Sequence, residues 1–247
     1  MFKKILPLFL AFLLLFTLVA CQGEEPIEPD PGTEPTTPTD PAPDDPEVFA
    51  VNSGSIPGTD ITWEVTNERI LYIKGSGALP DYDMPNDTPW YEHTGTTSTD
   101  RSDKDGGSLL VTKVVIEEGI TVLSENAFRD FRPLTTVVLS STVQQISFKC
   151  FAECPNLKTV IGGSGLTLIE AEAFRGCASL ESFELSPALT KVEDSAFGDI
   201  IPTGTSRKLA IRVLGTEAAW QTAFDGMDIG LDNKALLEAT FTYSEAE

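Results

Sequence analysis

Histidine is almost missing from this chain of 247 residues: His93 is the single one. Every Ser-His-Asp or Cys-His arrangement would have to recruit it. It stands in a polar stretch, YEHTGTTSTDRSDKDGG, that reads as a solvated loop. Cysteine is scarce as well. A zinc site built on Cys154 and Cys177 would need two more ligands in tetrahedral reach, and only Cys150 and the distant His93 remain in the body. Neither a metal nor a cofactor is therefore expected. Positive charge is short too, with 17 Lys and Arg against 38 Asp and Glu and a net charge of −21. Such a chain repels nucleic acid and anionic lipid head groups. Adjacent carboxylates such as Glu117-Glu118 and Glu193-Asp194 read as hydrated faces, and nothing sets two of them across a cleft as glycoside hydrolysis requires. KGSGAL at 74–79 lacks the longer phosphate-loop pattern and reads as a turn after a strand. No catalytic constellation is left, so the chain is read as a non-enzyme.

What is present begins with a targeting segment. Lys3 and Lys4 precede an apolar run from Ile5 to Ala20, too short for a comfortable membrane span, and small residues lead into Cys21. Leu18-Val19-Ala20-Cys21 resembles the bacterial lipobox, which implies a signal peptide over 1–20 and lipid on Cys21. Residues 22–47 hold eight of the 17 prolines and nine acidic residues, with no Lys or Arg. That composition cannot bury enough apolar surface to offset its ordering entropy, and like charges extend it, so 21–47 reads as a lipidated cysteine followed by a disordered stalk. With +2 in the first twenty residues and −9 in the stalk, −14 is left for 48–247. Membrane attachment is thus expected from the lipid rather than from the body. Glu24 and Glu25, close behind Cys21, resemble the surface-export signals of some Gram-negative lipoproteins, which implies an outer-membrane location facing the exterior.

The body repeats. Phe128, Phe151, Phe174 and Phe197 recur every 23 residues, each preceded by Ala127, Cys150, Ala173 or Ala196. Apolar residues return at fixed offsets: Leu123, Ile146, Ile169 and Val192 five residues before, then Ile120, Val143, Leu166 and Leu189 eight before. Twelve before stand Ile116, Leu139, Gly162 and Leu185, with glycine the exception, and Leu134, Leu157 and Leu180 follow six after. A fixed period of this size marks a solenoid in which each unit buries its apolar side against its neighbours. TTVVLS and ESFELS alternate as strands do. SENAF is expected to make a helical turn capped by Ser124. The phenylalanines are expected to stack as a ladder at strand spacing.

The unit Ile-x-x-x-Ala-Phe-x-x-Cys-x-x-Leu resembles the BspA-like leucine-rich repeats. The likeness is carried most fully by the units around Phe151 and Phe174 and weakens at Ile200, where IPTGTSRK interrupts the spacing. The lead-in ITWEVTNERILYIKGSGALPDYDMPNDTPWYEH, with Trp63, Gly75, Gly77, Pro80, Tyr82, Pro89 and Trp90, is similar to the segment that precedes such arrays. The resemblance implies a mainly β solenoid with short helical turns, a β cap over 48–108, the array over 109–200, and a closing cap and tail over 201–247. By the same resemblance the work is non-catalytic binding: adhesion to a host or neighbouring-cell protein. Cys154 and Cys177 share one repeat position, where they fit as buried free thiols or as a bridge between coils.

Two surfaces compete for the binding role. Trp63, Tyr72, Tyr82, Trp90 and Tyr91 would offer a glycan platform if exposed, or fill a cap if buried. In the array, Val114, Val137, Val160 and Phe183 point inward, so Val115, Val138, Ile161 and Glu184 form an outward row. Lys113, Thr136, Thr159 and Ser182 form the next one. Exposed apolar residues in register mark a contact more often than scattered ones do, so this face is the expected partner site. A glycan binder or a structural component of an envelope complex is the alternative.

Overall fold

The fold follows from the period-two alternation. In β5 (Lys113–Ile116), β7 (Thr136–Leu139) and β11 (Ser182–Leu185) the second and fourth residues are buried and the others half-buried. The computed structural model describes residues 48–93 and 110–244. The signal peptide, Cys21 and the stalk lie outside those residues, as does 94–109. No helix among the described residues is long and apolar enough to cross a membrane.

Ahead of β5 come β1 (Ala50–Ser55), β2 (Thr62–Thr66), β3 (Ile70–Lys74) and the short β4 (Gly77–Ala78). Interleaved with β7 and β11 are β6 (Ile120–Leu123), β8 (Gln145–Ile146), β9 (Thr159–Gly162), β10 (Leu168–Ile169) and β12 (Lys191–Val192). The chain closes with β13 (Ala210–Val213), helix α1 (Glu217–Asp225), β14 (Asp228–Ile229), helix α2 (Lys234–Leu237) and β15 (Thr240–Tyr243). Among the described residues these strands make a nine-stranded sheet, β1-β2-β3-β5-β7-β9-β11-β13-β15, and a six-stranded sheet, β14-β12-β10-β8-β6-β4. The β1–β2 and β2–β3 pairings are antiparallel, and every pairing after them, in both sheets, is parallel. This is a β solenoid, with the chain passing from the long sheet to the short one and back in each coil.

The core is the ladder foreseen from the period, with one more rung. Phe128, Phe151, Phe174 and Phe197 stack at 5.0, 5.3 and 5.6 Å with interplanar angles of 10° or less. Trp90 adds a ring 5.3 Å from Phe128, and its Nε1–H donates to Ala127 O at 2.9 Å. Phe183 packs edge-on beside the last two rungs, against both Phe174 and Phe197. Each stacked pair contributes about 0.5–1.5 kcal/mol beyond its burial.

The segments around each Phe are not helical turns. Asn126, Lys149, Glu172 and Ser195, two residues before the Phe, all take φ near +55°, and Asp130, Glu153, Gly176 and Asp199, two after, are also left-handed. A left-handed residue breaks a right-handed helix. What it allows is a corner whose N–H groups reach the next coil: Phe128 N to Cys150 O, Phe151 N to Ala173 O and Phe174 N to Ala196 O, each 2.8 Å. Ser124 caps nothing; its hydroxyl donates to Leu79 O in the coil before. Gly162, the exception in the repeat, sits at φ +86°, where a Cβ would lie 2.2 Å from Leu139 O.

The stacking does not end at residue 200. β13 pairs with β11 and β15 with β13, all four positions in register. The insertion between β12 and β13 is held by Arg207, whose guanidinium donates to the carbonyls of Ala178, Leu180 and Ile200. At the other end β3 and β4 pair with β5 and β6, so the lead-in is itself a coil, with the β1–β2 hairpin beyond it.

Candidate interaction face

Each strand of the long sheet turns one set of side chains inward and the other to the surface, and register aligns the outer set. Tyr72 stands beside Val115, Val115 beside Val138, and Val138 beside Ile161. The row is thus four apolar side chains long. Ile161 is 38% exposed, and Tyr72, Val115 and Val138 are half-buried because each shields the next. Tyr72 is the residue sequence reasoning misplaced among the cap aromatics. The signal was available: ILYIK alternates in the same phase as KVVI.

Charge frames the row at both ends. Lys74 Nζ lies 5.2 Å from the Tyr72 ring centre and pairs with Glu64 at 3.2 Å and Glu117 at 3.8 Å. At the other end the Glu184 carboxylate accepts from Gly162 N and from Arg212, both at 2.6 Å. Glu184 is therefore held at Gly162, the last residue of β9, and paired with Arg212, with its side chain 16% exposed. It ends the stripe, as expected, yet offers little free charge to a partner. The second row also runs in register through Lys113, Thr136, Thr159 and Ser182. Ser182 Oγ donates to Thr159 Oγ1 at 3.1 Å.

The competing aromatic platform is mostly core. Trp90 is fully buried, and Trp63 and Tyr82 are each only 7% exposed. Burial also pushes the Tyr82 phenol pKa upward. Of the five aromatics only Tyr72 and Tyr91 reach the surface in part.

His93 corrects the reading of a solvated loop histidine: it is 4% exposed. The β1–β2 hairpin folds over it, placing its Nε2 3.0 Å from Asn52 Nδ2 and its ring 6.4 Å from that of Trp63. Cys150, Cys154 and Cys177 are free and fully buried. Cys154 Sγ donates to Phe128 O and Cys177 Sγ to Phe151 O, both at 3.1 Å, so each thiol satisfies a carbonyl of the preceding coil. Burial drives the Cys150 and Cys154 thiols well above the usual range, away from the reactive thiolate. Among the described residues no three His, Cys, Asp or Glu side chains gather as metal ligands would.

The carboxylates read as hydrated faces also do structural work. Glu118 accepts from Ser141 N and Oγ at 2.9 and 3.0 Å, and these bonds hold its carboxyl below the usual range. Glu193 accepts from Ala171 N, and Asp194 from Leu231 N. Each ties one coil to its neighbour.

Residues 107–205 match the BspA type leucine rich repeat region, in six copies. The repeat array is BspA-type leucine-rich repeat. No curated protein matches the chain. Among solved structures, a leucine-rich repeat protein from Eubacterium ventriosum is similar at 20% identity and TM-score 0.49, over 68% of this chain and 44% of its own. One from Bacteroides capillosus is similar at 18% identity and TM-score 0.32, over 65% and 97%. The pneumococcal vaccine antigen PcpA is similar at 16% identity and TM-score 0.37, over 79% and 50%. The chain thus spans less than half the length of the first of these proteins, and the family assignment rests on the repeat itself.

Proposed function

We propose that this chain is a non-catalytic, lipid-anchored surface protein that binds a protein partner on the outward face of its long sheet. The observation that carries the reading is the row Tyr72, Val115, Val138 and Ile161, four apolar side chains aligned at the surface by the same register that builds the core. Surface β-branched residues suit strands anywhere, but a contiguous row is what a partner can cover at once. The anchor is Cys21, the stalk 21–47 gives reach, and the location is the outer membrane facing the exterior. The partner is a protein of the host or of a neighbouring cell, and many anchored copies supply avidity.

The glycan reading now draws on Tyr72 and Tyr91 alone, and a structural role in an envelope complex would use the same sheet face. The test is binding of the full chain, held in detergent, to parallel panels of extracellular-matrix proteins and glycans. Saturable protein binding lost in the Val138→Glu/Ile161→Glu double variant supports the reading. Protein binding unchanged in that variant, or glycan binding alone, overturns it.

A further inference from the structure

The two edges of the long sheet differ in a way that bears on self-association. At one edge the register of β1 on β2 shifts between Ala50 and Asn52, an irregularity of the kind that spoils an edge for further pairing. At the other, β15 pairs with β13 without interruption from Ala210–Thr240 to Val213–Tyr243. Thr240 N and Ser244 N donate to Leu209 O and Val213 O, each at 2.9 Å. In parallel pairing alternate residues face opposite sides, so Phe241 and Tyr243 turn their N–H and C=O toward the open edge.

Charge sets this edge apart as well. Within β15 no side chain is charged; Lys234 and Glu238 ahead of it pair with each other at 3.8 Å, and Glu245 and Glu247 follow it, in a chain of net charge −21. The same last coil exposes Leu231 and Leu237, at 75% and 56%. A charged side chain is the usual guard on an edge strand, and β15 carries none.

We propose that β15 is the pairing edge of a homodimer. Two copies of β15 lie antiparallel about a twofold axis at Thr242, with Phe241 of each opposite Tyr243 of the other. That register joins two nine-stranded sheets into one. Symmetry and charge select a second copy. An isologous contact closes after two subunits, and because residues 240–244 are uncharged, the twofold at Thr242 sets no like charges directly opposite each other along the strand. The register shift in β1 works against the head-to-tail alternative, which would run on as a filament.

Sedimentation equilibrium of the full chain in detergent reads the association directly. A monomer–dimer equilibrium is expected. Tyr243→Pro removes the outward N–H while leaving the Thr240 and Ser244 bonds to β13, and weakens the dimer roughly thirtyfold, about 2 kcal/mol. Tyr243→Val loses the same ring but keeps the N–H, and stays dimeric. Should Tyr243→Pro fail to fold by circular dichroism, Thr242→Cys serves instead. Oxidation cross-links it to its own copy above the wild-type background, whereas Thr240→Cys stays at background. A monomer at every concentration, a dimer indifferent to Tyr243→Pro, open-ended growth, or equal cross-linking of the two cysteine variants overturns the proposal.

Discussion

Val137 and Val138 are the same residue type, adjacent on β7, and they belong to different parts of the molecule. Val137 is fully buried in the row with Val114 and Val160, whereas Val138 reaches the surface between Val115 and Ile161. Residue type therefore does not say what these side chains do; phase along the strand does. The inward row supplies stability through close packing, whereas the outward apolar residues Val115, Val138 and Ile161 are expected to accept change without loss of the fold. A surface free of structural duty is one that can be shaped for a partner.

Substitutions that cross this divide should separate widely. Val137→Asp places an unpaired charge in the core and is expected to abolish folding, whereas Val138→Glu should cost about 1 kcal/mol or less in urea denaturation. Equal effects would erase the distinction. Next come the ladder residues. Phe151→Ala and Trp90→Ala should each cost about 3–5 kcal/mol in chemical denaturation. A loss below about 1 kcal/mol at Trp90 would separate the lead-in from the continuous core. Arg207→Ala leaves three carbonyls without their donor and should cost about 2 kcal/mol, measured the same way. The smallest effect concerns Glu118, an outward carboxylate that ties two coils. Its pKa is held down in the folded state, so its contribution is present above the ordinary carboxylate range and is lost as pH falls through the lowered value. Glu118→Gln should lower the midpoint slightly at about pH 7, and the difference should shrink as pH falls below the ordinary carboxylate range.

Much of this was legible in the sequence because the period is strict. Four phenylalanines at one spacing fix the ladder, and alternation within TTVVLS fixes which valine faces in. Trp90 was harder to place as a rung, because the segment between it and Phe128 is longer than one repeat. The left-handed residues at Asn126, Lys149, Glu172 and Ser195 share no side-chain chemistry, so composition could not reveal that the corners turn without helix. His93 sits at the border of a polar stretch, yet the hairpin covering it is paired from far upstream. β13 and β15 continue the sheet across connections that break the 23-residue period, and only pairing exposes them.

The most direct measurement pairs two double variants, Val137→Ala/Val160→Ala and Val138→Glu/Ile161→Glu, each assayed for urea stability and for binding to the extracellular-matrix protein panel. The inward pair should lose several kcal/mol and, while still folded at low temperature, keep wild-type binding. The outward pair should keep its stability and lose binding. An outward pair that unfolds, or that binds like the wild type, contradicts the claim that one sheet divides its two faces between holding the fold and meeting a partner.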